Sequence, residues 1–215
     1  MAHLFSGFPP SKMVKAKNLV ESAQTLLDSA HKALISLQKK SSNSAALFDY
    51  RKWFGVVDPT RLNRVTSVVA IMDFAINEAS IKFIYNDPGD CTPGVNAAGS
   101  FTNSARAESI LEALKNKNYE LVLCDRFFTQ LVGISSIEQS SVGTLIHELS
   151  HILGDTIDVD DQHISGAKNH DQPTANNMNP RYGKDAAVNL AKNYPQWAVE
   201  NAENYGFYGS VGWGR

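Results

Sequence analysis

The sequence predicts an α+β fold, in which a helical N-terminal part packs on a small mixed sheet. From about residue 13 to residue 40, apolar residues recur at three- and four-residue steps, which is typical of an amphipathic helix. A second stripe of this kind follows Asp58-Pro59, a pair that suits an N-cap and a first helical position. The run 81–85 is rich in β-branched and aromatic residues, and the run 119–124 is short and mostly apolar; both patterns favour strands.

The other segments are assigned from turn residues and shorter apolar patterns. Residues 1–11 are expected to form an exposed lead-in, and residues 41–44 a loop. Phe101 is expected to lie on a further short strand, and residues 105–115 are expected to be helical. The predicted elements thus run from mostly helical to mixed along the chain.

Length and composition exclude several classes of protein. No repeat or low-complexity linker divides the 215 residues, so we expect one domain over 1–215, with a helical subdomain over 1–80 and a second part over 81–215. The net charge of −2 argues against a protein that binds nucleic acid through charge. No apolar run reaches the roughly 18 residues that a membrane span needs, and no standard signal peptide is visible.

A histidine-rich segment carries the strongest chemical signal. His147 and His151 are four residues apart in His-Glu-Leu-Ser-His, and the apolar residues on both sides predict a buried helix. At this spacing both imidazoles project from one face of the helix, which suits two ligands of one zinc ion. Glu148 lies about 100° round the helix, where it could take a proton from a water molecule beside the metal.

A catalytic zinc site needs a third protein ligand and an open position for water. The acidic segment after the helix supplies several candidates, namely Asp155, Asp158, Asp160, Asp161 and His163. It lacks the spaced Asp/Asn ladder with a terminal Glu that marks a calcium loop, so calcium is less favoured. Cys91 and Cys124 are the two cysteines, and the residues alone leave two buried thiols or one disulfide open.

Several separated segments resemble the aspzincins, a family that comprises deuterolysin, the fungal peptidyl-Lys metalloendopeptidases and bacterial relatives. They are Tyr50-Arg51-Lys52-Trp53-Phe54-Gly55, Leu123-Cys124-Asp125-Arg126-Phe127-Phe128, Gly143-Thr144-Leu145-Ile146 before the His-Glu-x-x-His helix, and the tail from Tyr182-Gly183 to Asn204-Tyr205. The resemblance implies a zincin-like metalloprotease fold and a zinc-dependent endopeptidase with one zinc ion and a protein or peptide substrate. It also implies that the two cysteines are paired.

The resemblance implies roles for further residues. The family's third zinc ligand is the Asp of Gly-Thr-x-Asp-x-x-Tyr-Gly, and here Asp155-Thr156-Ile157-Asp158 stands at the first half, whereas Tyr182-Gly183 follows only after an insertion over 159–181. This favours Asp158 as the third ligand, with Asp160 as runner-up. Counting back from Tyr182 would select Asn179, whose neutral amide is a poor zinc ligand. Tyr182 would donate a hydrogen bond to the oxyanion of the tetrahedral intermediate.

Glu203 stands where lysine-selective members of the family carry the first of two acidic residues, but the second position is Gly206. The resemblance therefore implies that Glu203 binds substrate, with a preference for Lys or Arg next to the cut. The alternative is that Glu203 is a surface residue on a C-terminal helix.

Two other functions stay open at this point. In a non-catalytic or degenerate zinc-binding effector, the insertion over 159–181 would cover the cleft or add a fourth ligand such as His163 or His170. A zinc amidase acting on cell-wall peptides would have a narrow cleft without an edge strand for an extended peptide. We expect a monomer with no nucleic-acid partner, secreted or exported without a visible signal peptide, as an effector or toxin would be.

Overall fold

The computed structural model describes residues 3–40, 43–78, 81–86, 89, 91, 97–102, 118–129, 141–165 and 182–210. Its strands are β1 (Leu4–Ser6), β2 (Ile81–Tyr85), β3 (Ala97–Thr102) and β4 (Asn118–Leu123). Its helices are α1 (Pro10–Gln38), α2 (Ser44–Phe54), α3 (Pro59–Glu78), α4 (Asp125–Thr129), α5 (Ser141–Gly154), α6 (Asp161–Ser165), α7 (Lys184–Asn193), α8 (Pro195–Ala198) and α9 (Ala202–Ser210). None of these helices combines the length and apolar character that a membrane span requires.

The four described strands form one mixed sheet in the order β1-β2-β4-β3. β1, β2 and β4 are parallel, and β3 runs antiparallel to β4 with Gly99 opposite Leu121. The expected lead-in over 1–11 is exposed at Leu4 and Ser6, as predicted, but residues 4–6 also form β1 and pair with β2, which was not predicted. The reason is that Phe5 stacks on the buried Phe83, with ring centroids 5.1 Å apart, and three residues are too few to show a strand period in sequence.

The helices pack on the sheet and on one another. α1 lies against α3, and α5 contacts α3, α9 and β3. The larger of the two apolar clusters among the described residues includes Leu27, Met72, Phe83, Ile146 and Phe207, and so draws side chains from residues before and after position 80. α5 is thereby buried at the centre of the molecule. The division into a subdomain over 1–80 and a second part over 81–215 stays a prediction.

Most predicted elements are present with small shifts at their ends. α1 begins at Pro10, since proline suits the first helical turn. The Asp58 side chain caps α3 by accepting a hydrogen bond from the Arg61 N–H at 3.0 Å. α2, which the apolar spacing does not predict, begins after Asn43, whose side chain accepts from the Ala46 N–H at 3.0 Å. The helix predicted over 105–115 lies outside the described residues.

Cys91 and Cys124 form a disulfide, with Cα atoms 5.5 Å apart. The pairing that the resemblance implies is therefore present. It joins the end of β4 to a segment 33 residues earlier in the chain. A disulfide of this kind is typical of proteins that mature in an oxidising compartment.

Candidate metal centre

Three predicted ligand side chains meet beside α5. The Nε2 atoms of His147 and His151 are 3.1 Å apart. The Oδ1 atom of Asp158 lies 3.3 Å from the first and 3.5 Å from the second. Within the described residues, this is the group of His, Cys, Asp and Glu side chains whose ligand atoms lie close enough together, within 4.8 Å, to hold a metal ion.

The opposite ring nitrogens orient both imidazoles. His147 Nδ1 lies 3.2 Å from a carboxylate oxygen of Glu203, and His151 Nδ1 lies 2.7 Å from the carbonyl oxygen of Thr156. Because these oxygens only accept hydrogen bonds, each Nδ1 carries the hydrogen, and in the neutral rings each Nε2 presents a lone pair. Asp158 Oδ1 is buried, and no hydrogen-bond donor reaches it among the described residues. Three electron pairs thus converge, which fits a divalent cation such as zinc.

The charges of these groups also fit a bound divalent cation. Burial by itself would lower the pKa of His147, but the neighbouring carboxylates of Asp158 and Glu203 outweigh it and raise the pKa well above its usual value. Burial would raise the pKa of Asp158, whereas the contacts with His147 and His151 lower it far below the usual range. The Asp158 carboxylate therefore stays negative and needs a positive neighbour, which is either a proton on His147 or a metal ion.

The loop that carries Asp158 is held by the segment 200–203. The Ile157 N–H donates to the Glu200 carbonyl at 2.8 Å, and the Ala202 N–H donates back to the Ile157 carbonyl at 2.9 Å. On the other side of Asp158, the Val159 N–H donates to the Asn201 side chain at 3.1 Å. Asp158 is thus fixed by backbone contacts on both sides, rather than by the sequence next to it alone.

The chain turns sharply between α5 and this loop. Gly154 is the last helical residue, and a Cβ atom there would lie 2.6 Å from Val68 Cγ1, so only glycine lets α5 approach α3 this closely. Asp155 then takes the left-handed conformation, with φ of 53°. Thr156 continues the turn, since its hydroxyl lies 2.7 Å from the Ser150 hydroxyl.

The other acidic candidates lie outside this cluster. The Asp160 carboxylate contacts His163 Nδ1 at 2.8 Å and accepts from the backbone N–H of Gln162 at 3.0 Å, so it caps α6. Asp155, Asp161 and His163 do not belong to the group around Asp158 either. His170 and Asn179 lie outside the described residues.

Glu148 lies between α5 and the edge strand β3. The Gly99 N–H donates to its carboxylate; burial raises the pKa of Glu148, while the nearby His147 and His151 oppose that shift. A Cβ atom on Gly99 would lie 2.5 Å from Ile152 Cγ2. Glycine at this position therefore lets β3 approach α5 closely enough for the contact with Glu148.

Tyr182 reaches the cluster despite the insertion. Its hydroxyl donates to Asp158 Oδ2 at 2.7 Å, and its ring centroid is 6.3 Å from that of His147. The residue is 45% exposed. Partial burial and the adjacent Asp158 carboxylate raise the pKa of Tyr182, so its hydroxyl keeps its proton and remains a donor.

Glu203 lies in the first turn of α9 and is only 1% exposed, so the alternative of a surface residue is wrong. One carboxylate oxygen contacts His147 Nδ1, and the other accepts from the Gly183 N–H at 2.7 Å. Substrate binding by Glu203 stays a prediction. The supporting roles of Gly99 and Asn201 have no recognisable signal in the sequence, because both act on segments distant in the chain.

Comparisons with known proteins agree with this geometry. A model of the lysine-specific metallo-endopeptidase family, the aspzincins, matches residues 38–180. An extracellular protease of Aeromonas hydrophila is 26% identical over 161 residues, which make up 74% of this chain and 34% of that protein. The chain therefore spans about a third of the length of this curated relative.

A solved structure shows the fold. The zinc peptidase from Grifola frondosa is 22% identical and superposes with a TM-score of 0.57 over 94% of this chain and 96% of its own. The predicted α+β, zincin-like fold is thereby confirmed. At the level of the family, the predicted hydrolase class and a metal cofactor are also confirmed. Since the family model matches well over half of its residues, this chain belongs to the lysine-specific metallo-endopeptidase, or aspzincin, family.

Proposed function

We propose that this protein is a zinc-dependent endopeptidase whose metal ion is held by His147, His151 and Asp158. The convergence of their three ligand atoms, with Asp158 Oδ1 lacking a donor among the described residues, is the observation that carries the proposal. When bound, zinc supplies a Lewis acid that acidifies a water molecule and polarises the carbonyl group to be cleaved.

Glu148 is proposed as the general base. Its half-buried carboxylate lies beside the face of α5 that carries the two histidines, and burial raises its pKa, which makes the carboxylate a stronger base. It would take the proton of the attacking water and pass it to the leaving amine. The Gly99 N–H orients the carboxylate for both transfers.

Tyr182 is proposed as the donor that stabilises the oxyanion. Its raised pKa keeps the hydroxyl protonated, and the hydroxyl already lies 2.7 Å from Asp158 Oδ2, next to the proposed ligands. A rotation of this exposed side chain would turn the hydroxyl from Asp158 to the substrate oxygen as negative charge develops there.

The edge strand β3 favours an endopeptidase over an amidase with a closed cleft. Among the described residues, β3 pairs with β4 alone, so its other edge offers backbone groups to an extended peptide. Gly99 of this strand contacts Glu148. A peptide paired along β3 would therefore pass the proposed base.

Among the described residues, three ligands meet at this site, and a site with three protein ligands keeps a position for water or substrate, which favours an enzyme over a closed structural zinc site. His163, which could have been a fourth ligand, is instead 2.8 Å from Asp160. His170, the other candidate for a fourth ligand, lies outside these residues. A non-catalytic zinc-binding protein is therefore the weaker alternative.

Specificity and location follow from the relatives. The family is described as lysine-specific, which supports a preference for Lys or Arg next to the cut. Action outside the cell is supported by the disulfide and by the extracellular description of the Aeromonas hydrophila relative. Protein or peptide substrates are proposed on the same basis, and export as an effector stays a prediction.

The test compares Glu148→Gln with the parent protein. The variant should bind zinc with nearly unchanged stoichiometry by elemental analysis, yet cleave casein about 100-fold more slowly or worse. Glu120→Gln is the matched control, because Glu120 pairs with Lys82 on the sheet and lies outside the proposed site. Full hydrolysis by Glu148→Gln, with the control also active, would reject Glu148 as the base.

A further inference from the structure

The buried carboxylate of Glu203 joins three parts of the molecule that are far apart in sequence. It projects from α9, contacts His147 of α5 at 3.2 Å, and accepts from the Gly183 N–H at 2.7 Å. Gly183 is next to Tyr182, whose hydroxyl contacts Asp158. A single side chain therefore touches one proposed ligand and the segment that carries the proposed oxyanion donor.

Both oxygens of Glu203 are occupied by the chain's own donors. The carboxylate is 1% exposed and lies behind the His147 ring, on the side away from Nε2 and Asp158. Because the residue is 1% exposed, a substrate ammonium group could reach the carboxylate only if the groups around it moved. This geometry suits support of the metal ligands better than direct recognition of a lysine side chain.

We propose that Glu203 is a positioning residue, which holds the His147 ring with Nε2 directed at the metal and anchors the Tyr182 segment through Gly183. The inference rests on the zinc site of the proposed function. A carboxylate on Nδ1 selects the ring form whose lone pair is on Nε2 and increases the basicity of that nitrogen. The contact with Gly183 then fixes where the chain re-enters the site after the insertion.

The chemistry of the substitution Glu203→Gln makes the idea testable. A glutamine has the same shape but offers one acceptor, whereas two donors, His147 Nδ1–H and Gly183 N–H, point at its two terminal atoms. One of them would face an NH₂ group and lose its hydrogen bond. Glu203→Asp keeps the charge but is one methylene shorter, so it too cannot serve both donors.

The experiment measures zinc affinity by competition with a chromophoric chelator, in a Glu148→Gln background that removes self-cleavage. We expect Glu203→Gln and Glu203→Asp to bind zinc about 10- to 100-fold more weakly, and the absorption spectrum of the cobalt-substituted protein to change. Glu120→Gln, which also removes one carboxylate, should leave the affinity unchanged. Circular dichroism of the metal-free proteins checks that the variants are folded.

A second readout separates positioning from substrate recognition. With Glu148 restored, Glu203→Gln should keep the parent's ratio of kcat/KM for peptides with lysine against norleucine at the position after the cut. Zinc affinity within twofold of the parent in both variants would overturn the proposal, and a loss confined to lysine peptides would assign Glu203 to substrate binding instead. If the parent binds zinc but cleaves no peptide, the proposed function fails while the affinities still decide the role of Glu203.

Discussion

A methyl group added at Gly99 would test whether the close approach of β3 to α5 is required. In Gly99→Ala, the new Cβ atom would lie 2.5 Å from Ile152 Cγ2, well inside contact distance. Ile152 is buried, at 9% exposed, and its Cγ2 is attached directly to Cβ, so it cannot swing away as the end of a long side chain could. Either β3 or α5 must therefore shift.

The sign of the effect depends on two opposing terms. Replacing glycine by alanine in a conformation that alanine accepts stabilises a protein by about 0.4–1 kcal/mol through the unfolded state. Overpacking of a buried contact costs about 1–3 kcal/mol. The steric term is larger, so we expect Gly99→Ala to lower the free energy of unfolding by about 1–2 kcal/mol. Peptide hydrolysis should fall as well, because the shift separates the Gly99 N–H from Glu148.

Urea unfolding at a fixed free zinc concentration measures the stability, since bound metal itself adds to it. Ile152→Leu removes the Cγ2 methyl at nearly constant volume and should by itself cost less than about 1.5 kcal/mol. In the double variant the clash is gone, so the coupling energy should reach about 1 kcal/mol in favour of the pair. Gly99→Ala that is as stable as the parent, with no coupling to Ile152→Leu, would refute the reasoning.

Three other outcomes follow from the same geometry. Asp158→Asn should weaken zinc binding at least tenfold while Asp160→Asn leaves it within about twofold, by chelator competition; the reverse ranking would make Asp160 the ligand. Although burial opposes it, contacts with Asp158 and Glu203 raise the pKa of His147 above 6.5. The proton on His147 should therefore stabilise the metal-free fold below pH 6.5 and lose that effect as pH rises through the raised pKa, which urea unfolding with a chelator at several pH values checks. Zinc affinity should increase over the same pH window, because the proton no longer competes with the metal, and zinc titration checks this. Replacing Cys91 and Cys124 together by serine opens a loop with a sequence separation of 33 and should cost about 3–4 kcal/mol in urea unfolding, and a loss below 1 kcal/mol would contradict it.

Local patterns in the sequence were sufficient to predict those helices whose apolar residues form a periodic stripe. The periodic run that forms α1 and the Asp58-Pro59 pair that begins α3 need no information from the rest of the chain. The same holds for α5, where the spacing of His147 and His151 on one helical face already predicts two convergent ligands. β1 was missed because a three-residue strand is defined by its partner, not by its own pattern.

The positions of the remaining site residues depend on contacts that the order of residues does not reveal. Asp158 and Asp160 are chemically identical, and Asp158 faces the histidines because residues 200–202 hold the loop in one register. Glu203 could equally have lain on the surface from its place in the sequence, yet the structure buries it against His147.

The sequence alone predicted the chemistry of this protein: it has two imidazoles one helical turn apart and an adjacent carboxylate, and its resemblance to one family implied that the two cysteines are paired. Only the tertiary structure decided which carboxylate lies beside the two histidines, that Tyr182 contacts that carboxylate, and that Glu203 is buried against His147. The physical reason is that periodicity and spacing control neighbours within an element. Side chains brought together across an insertion or from a distant helix are placed instead by core packing and buried hydrogen bonds, which depend on the whole chain at once.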